Sequence, residues 1–343
     1  MPQDVVFGLP WPLRASPYVS LARAHSLVWL DEYGLLDAQG FTADEFVHWR
    51  LAELAGFFFP EATVEGLELA SDLIGWYFAP FDDQFDGPLG HDPRKVAGIC
   101  EELAEAMDFT FLPASRSWSP AARGLADIWR RSGEGMSPAW RAKASVSWRG
   151  YLAAQAAESV NRRHGRVLDA EECVRRRGYA TSSHVVIDLI ERVGGFEVPE
   201  LAWYSPTLAR LRGLAAELIG LSNDLCSVEK EEACGDTVNN LLLVLERERG
   251  CSRQEAIALL GQLAEQRVER FLQTEKEVAD LDCMLDAAGR VSVRRFVEGL
   301  HDLVRGDSEW ERTSGRYTQD GIAVAARRVA AMPASRWRPV EGR

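Results

Sequence analysis

Residues 76–86 read W-Y-F-A-P-F-D-D-Q-F-D, an aromatic run that closes on three aspartates. Asp82 and Asp86 stand four apart and Asp83 and Asp86 three apart, so on a helix the three carboxylates project from one face. They fall at the C-terminal end of that helix, where the macrodipole is negative and anions are disfavoured. Mutual repulsion adds to the cost, and a hard divalent cation offsets both. Mg²⁺ takes oxygen ligands, keeps several waters and bridges carboxylates to phosphates, so the stretch reads as a metal–phosphate site beside an aromatic wall. Taken alone, the aspartates are equally a solvated helix end running into the turn Gly87-Pro88-Leu89-Gly90. Trp76, Tyr77, Phe78 and Phe81 alone fit a core more readily than a binding wall.

Working outward, helix start signals recur along the chain. Ser16-Pro17, Asp92-Pro93, Ser119-Pro120, Ser137-Pro138 and Ser205-Pro206 each place an N-cap residue before a proline at the first helical position. Thr42 with Glu45, Asp169 with Glu172 and Ser252 with Glu255 have the spacing of capping boxes. The spacing predicts a first helix over 16–36, a second from 42 to about 59, and a third from about 62 that carries the aspartates, with Pro80 kinking its last turn. Long helices are expected over 137–163, 205–232 and 252–285. Alternating strand patterns, internal repeats and separating linkers are missing from the sequence, which points to one all-α domain over 1–331. Residues 332–343, with two prolines and a basic end, read as a disordered tail.

Composition narrows the partners. The chain has 343 residues, 46% hydrophobic and 27% charged, the balance of an ordinary globular protein with a substantial core. A net charge of −13 argues against a nucleic-acid partner. No apolar run approaches the roughly 20 residues that span a bilayer, so no membrane is expected. Six cysteines without C-x-x-C spacing, and an N-terminus unlike a signal peptide, suggest reduced thiols in a cytoplasmic protein.

A second constellation lies in the helix that begins near Ser205. Residues 221–231 read L-S-N-D-L-C-S-V-E-K-E, and Asn223, Ser227 and Glu231 follow one another at four-residue steps. That spacing stacks an amide oxygen, a hydroxyl and a carboxylate on one stripe, all able to ligate a single hard cation. Leu218, Ile219, Leu221 and Leu225 surround the stripe, so its polar groups need partners if they are buried. An exposed polar face is the plainer reading of this motif by itself. Lys230 reads either as a surface lysine or as a phosphate contact.

The order and separation of the two motifs resemble a class I terpene synthase of the bacterial type, and the likeness runs from about Pro10 to Tyr317. Arg177, in the run Arg175-Arg176-Arg177, falls where that family carries the arginine that senses the substrate diphosphate. Arg316-Tyr317, after Trp310, matches its closing Arg-Tyr pair. The resemblance implies a single-domain bundle of long antiparallel helices around an apolar active-site cavity. It implies an enzyme that ionises a linear prenyl diphosphate and cyclises the carbocation, with three Mg²⁺ ions held by Asp82, Asp83 and Asp86 on one side and Asn223, Ser227 and Glu231 on the other. Arg177, Lys230, Arg316 and Tyr317 would bind diphosphate oxygens.

Phe57, Trp76, Phe78, Phe81 and Trp310 would wall the cation, since ring faces stabilise positive charge in a dry cavity. The family breaks a helix after the sensor, where Gly178 supports a break and Thr181 occupies the position of a carbonyl near the cation. Ala180 stands where an acidic or hydroxylated residue is frequent, so coupling from the sensor must run through backbone. Ala157 replaces a frequent aromatic before Glu158, which leans toward a larger cavity and geranylgeranyl diphosphate, although farnesyl diphosphate and a sesquiterpene product are the commoner pairing. Homodimers are common in the family. A chain-elongating prenyl transferase would carry a second Asp-rich motif in place of Asn223, Ser227 and Glu231. A non-catalytic helical scaffold would have no need of so complete a set of metal and diphosphate residues.

Overall fold

The structure, a computed structural model, describes residues 5–36, 40–79, 85–108 and 118–331. Among these residues the secondary structure is helical and no strand occurs. Helices α1 (Val19–Glu32), α2 (Ala43–His48), α3 (Leu51–Phe58) and α4 (Val64–Phe78) come first, then a short 3₁₀ turn (Pro88–His91). Next are α5 (Pro93–Asp108), α6 (Pro120–Gly133), α7 (Pro138–His164), α8 (Ala170–Ala180), α9 (Ser183–Gly194) and the single turn α10 (Glu200–Trp203). The last group is α11 (Pro206–Cys234), α12 (Leu241–Arg249), α13 (Arg253–Lys276), α14 (Ala287–Thr313) and α15 (Gln319–Ala331), with 3₁₀ segments at Glu277–Met284 and Gly315–Tyr317.

Most of the expected caps form. Thr42 and Ser252 make full capping boxes with Glu45 and Glu255. Ser119, Ser137, Asp169 and Ser205 each accept a hydrogen bond from the backbone N–H three residues on. Three expected spans differ. The first helix begins only at Val19, because Ser16 donates its N–H to Gly56 O and uses its hydroxyl to accept from Tyr18 N. The second is split at Arg50, which takes a left-handed conformation with φ of 58°. The long helix from Ser252 tightens into 3₁₀ geometry after Lys276.

At the centre, α11 packs against α8, α9, α13 and α14, while α3 packs against α4 and α14. Two glycines set the closest approach. A Cβ on Gly220 of α11 would lie 2.9 Å from the Arg177 Cβ, and one on Gly178 of α8 would lie 2.9 Å from the Ala216 Cβ. Gly178 therefore sits inside α8 as a packing residue, not as the break. The break falls at Thr181 and Ser182, the latter at φ 58°. This close helix pair delivers Arg177 against the polar stripe of α11.

Candidate active site

On the α11 stripe Ser227 and Glu231 are buried and Asn223 is half-buried, and each group has a partner. Ser227 donates to Glu231 Oε1 at 2.7 Å, and Asn240 donates through Nδ2 to Glu231 Oε2 at 3.1 Å. Asn223 accepts at Oδ1 from Arg177 Nη2 at 2.8 Å and donates through Nδ2 to Glu311 Oε1 at 2.9 Å. The same Arg177 Nη2 lies 2.5 Å from Asp224 Oδ1 and 3.7 Å from Glu231 Oε1, while Nη1 reaches Glu158 Oε1 at 3.2 Å. One guanidinium thus stands among four acceptor groups. Asp224 is fixed from behind, because its Oδ2 accepts from Leu241 N at the start of α12.

Asp86 joins this network from the other motif. Its carboxylate accepts from Lys230 Nζ at 2.6 Å and from Arg162 Nη2 at 3.2 Å, and Arg162 also reaches Asp236 at 2.6 Å and Glu158 at 3.3 Å. Asp82, Asp83 and Phe81 lie outside the described residues. Lys230 is therefore an interior residue and not a surface lysine.

Burial governs the electrostatics. Desolvation pushes Glu231 up to about 8 and Asp224 up to about 6, against the opposing pull of Arg177 in both cases. It also pushes Glu311 up to about 7, and raises Glu158 and Asp307 above the usual carboxylate range. Arg316 is lowered by burial to about 10 and remains a cation near neutrality. Ionised carboxylates in this setting demand positive charge. The three donors of the α11 stripe offer amide, hydroxyl and carboxylate oxygens, the set a hard cation takes, and a guanidinium now supplies that charge. Among the described residues, no group of three or more His, Cys, Asp or Glu is arranged as a metal site. Two of the three stripe donors are of other types, so the residues present fit a divalent ion.

Below this polar rim lies an apolar cavity. Leu54 and Phe58 of α3, Ile74 and Phe78 of α4, Val186 of α9, Ile219 of α11 and Trp310 of α14 line it. Phe78 and Trp310 stand 5.4 Å apart between ring centroids, and Trp310 donates its indole N–H to Trp49 O at 2.7 Å. Trp76 does not line the cavity: it is 0% exposed and donates its indole N–H to Ala121 O, which makes it a core residue. Phe57 lies outside the lining too, its backbone against Gly306 of α14. Arg316 sits behind the wall, its Cζ 4.3 Å from the Trp49 ring centroid and 5.0 Å from that of Phe78. Tyr317 Oη is 3.5 Å from Asn223 Nδ2.

Thr181 lines the cavity at the helix break and donates its hydroxyl to Arg177 O at 2.8 Å. Gln155 of α7 donates to Ala180 O at 2.9 Å. The link from Arg177 to the break therefore includes the Thr181 side chain as well as backbone. Ala157 faces a separate apolar pocket on the other side of α7 with Gly150, Ala153 and Ala154, so its small side chain does not enlarge the main cavity. Sequence reasoning did not single out Arg162, Asp224, Asp236, Asn240 or Glu311. Their one visible signal was the ordinary i,i+4 spacing of Glu158 and Arg162.

A helical bundle enclosing an apolar cavity, with buried cations and oxygen donors at its rim, defines the class I terpenoid synthase architecture. The pattern described as "Terpene synthase family 2, C-terminal metal binding" matches residues 72–270. Pentalenene synthase of Streptomyces avermitilis is 38% identical over 331 residues, covering 95% of this chain and 96% of that protein. The (−)-β-caryophyllene synthase ((2E,6E)-farnesyl diphosphate cyclizing) of Saccharothrix espanaensis is 36% identical, covering 93% and 90%. Among solved structures, wild-type cucumene synthase superposes with a TM-score of 0.81 at 58% identity, covering 90% of this chain and all of that one. Germacradien-4-ol synthase from Streptomyces citricolor gives 0.79 at 34%, covering 91% and 99%. The chain belongs to the terpene synthase family and is a class I terpene cyclase. No helix among the described residues is long and apolar enough to cross a membrane.

Proposed function

We propose that this cyclase ionises farnesyl diphosphate and closes the resulting allylic cation to a sesquiterpene. The metal ligands are assigned as Asp82, Asp83 and Asp86 on one side and Asn223, Ser227 and Glu231 on the other, for three Mg²⁺ ions. The carrying observation is the contact of Arg177 Nη2 with Asn223, Asp224 and Glu231 at the edge of the apolar cavity. It joins the proposed diphosphate sensor to the proposed metal donors in one place. Mg²⁺ bound there would neutralise the diphosphate and stabilise its departure as an anion.

The chain's own residues do the remainder. Arg177, Lys230, Arg316 and Tyr317 are assigned as donors to diphosphate oxygens, and the positive charge of the two arginines and the lysine offsets the charge that builds on the leaving group. The allylic C–O bond breaks heterolytically and the electron pair leaves with the diphosphate. Phe78, Trp310 and Ile219 line the cavity and would keep water from the cation, and the two rings supply π-electron density to positive charge. Loss of a proton, or capture of one water followed by loss of a proton from the resulting oxonium, then gives a neutral product. The farnesyl substrate is supported by the names of the relatives that state one, and the position of Ala157 removes the argument for a longer chain.

The test is to incubate the purified protein with geranyl, farnesyl and geranylgeranyl diphosphates, with and without Mg²⁺, and to analyse hexane extracts by gas chromatography–mass spectrometry. A cyclic fifteen-carbon product from farnesyl diphosphate, formed only with the metal, is expected. A twenty-carbon product, or none with farnesyl diphosphate, would overturn the substrate assignment.

A further inference from the structure

The Asn223 amide presents two edges of nearly the same shape and opposite chemistry. Oδ1 accepts and can ligate a cation, while Nδ2 donates and repels one. Which edge faces the rim is therefore decided by neighbours. Oδ1 takes a hydrogen bond from Arg177 Nη2 at 2.8 Å, and Nδ2 gives one to Glu311 Oε1 at 2.9 Å. Both contacts favour the same orientation, but they are not equivalent. Arg177 occupies the oxygen edge, the position a cation would take, and its proposed partner in the working enzyme is the diphosphate. Glu311 holds the opposite edge from α14, is 1% exposed, and follows Trp310, which is tied to the Trp49 carbonyl. The third contact, Tyr317 Oη at 3.5 Å, is too long to impose an orientation.

We propose that Glu311 is a positioning residue of the metal site, holding the Asn223 amide with its oxygen toward the rim. When Arg177 turns to the diphosphate, Glu311 is the contact that still distinguishes nitrogen from oxygen. Its carboxylate also polarises the amide toward a more electron-rich Oδ1, as carboxylates behind metal-bound histidines do. The inference rests on the assignment of Asn223 as a ligand. Asp307 supplies an internal contrast. It lies one turn earlier on α14 and also lines the cavity, but its nearest influences are Ser222, which belongs to neither donor set, and Glu311 itself.

The experiment follows melting temperature with inorganic pyrophosphate across a series of Mg²⁺ concentrations, in the wild type, Glu311→Leu and Glu311→Gln. Loss of an orienting partner behind a ligand commonly costs about 10- to 100-fold in metal affinity. Glu311→Leu is expected to raise the Mg²⁺ concentration for half the shift by about 10-fold or more. Glu311→Gln, whose amide oxygen can accept the same bond, stays close to wild type. A folded Glu311→Leu protein with an unchanged Mg²⁺ requirement would overturn the inference while leaving the metal assignment standing. A wild type with no Mg²⁺-dependent shift would overturn both.

If Glu311→Leu does not fold, the pair Asn223→Asp and Asn223→Asp/Glu311→Gln decides. A carboxylate at 223 has two like oxygens and needs no orientation, but it faces the Glu311 carboxylate. Adding Glu311→Gln should therefore restore the Mg²⁺ affinity that Asn223→Asp weakens. If the second substitution fails to improve it, Glu311 is not acting on the edge of residue 223.

Discussion

The rim around Arg177 and the wall around Phe78 border one cavity but are built on opposite principles. At the rim, Glu158, Asp224, Glu231 and Glu311 are carboxylates whose pKa values burial has raised, held by the Arg177 and Arg162 guanidiniums and a few hydrogen bonds. At the wall, Phe78 and Trp310 meet ring to ring, with the Arg316 guanidinium layered against Phe78. Buried charge is a poor way to gain stability, and perturbed carboxylates collect where chemistry needs them. Packed rings contribute stability and shape together. Changes at the rim should therefore cost turnover, and changes at the wall should cost stability and alter the product.

Arg177→Ala is the most severe way to probe the rim. Removing a preorganised charge contact costs about 10²–10³-fold in turnover. Because Asp224 loses its cation and Glu158 keeps only Arg162, folding should also weaken by about 3 kcal/mol. Steady-state kinetics and urea unfolding measure the two effects, and an unchanged unfolding midpoint would break the view that this arginine holds the buried carboxylates. Glu231→Gln separates them. It keeps the shape and removes a carboxylate that burial disfavours, so turnover should fall about 100-fold while the melting temperature holds or rises. A large loss of stability would show that Glu231 is a structural anion.

Phe78→Leu tests the other side. Turnover should stay within about 10-fold of wild type, stability should drop by about 1–3 kcal/mol, and the ratio of hydrocarbon products should shift. An unchanged product ratio would remove Phe78 from the shaping wall. The last prediction leaves turnover at neutral pH untouched. His184 against Tyr179 and His301 stacked on Trp11 are half-buried imidazoles lowered to about 4, chiefly by desolvation, which for His301 outweighs the Glu275 carboxylate 3.2 Å from its Nε2. Between about 4 and the ordinary value of 6.5 the unfolded chain binds protons that the folded chain refuses, so stability falls as pH drops through that window. A His184→Phe/His301→Phe variant should lose less melting temperature than wild type between pH 7 and pH 5.

The rim was partly legible in the sequence. Asn223, Ser227 and Glu231 could be read because helical periodicity stacks them on one stripe, and that periodicity survives in α11. Asp224, Arg162 and Glu311 could not, because their partners arrive from distant segments: Arg162 meets Asp236 across 74 positions, and Glu311 meets Asn223 across 88. The split of the second helix was hidden for a related reason. Neither glycine nor proline marks Arg50, and the structure instead uses the freed carbonyl of Trp49 to accept from Trp310 Nε1 and Ser314 Oγ. Tertiary hydrogen bonds there outweigh local helix preference. The wall was legible as aromatic content but not as geometry. Trp76 and Phe78 are two residues apart on α4 and face different ways, one into the core and one into the cavity.

The central claim, that the α11 stripe takes a divalent ion with the diphosphate, is tested most directly by anomalous diffraction from crystals grown with Mn²⁺ and inorganic pyrophosphate. The account predicts an anomalous peak about 2 Å from Asn223 Oδ1, Ser227 Oγ and a Glu231 oxygen, with Arg177 turned from Asn223 toward pyrophosphate. Pyrophosphate bound with no peak at those three atoms, and Arg177 still on Asn223 and Asp224, would contradict it.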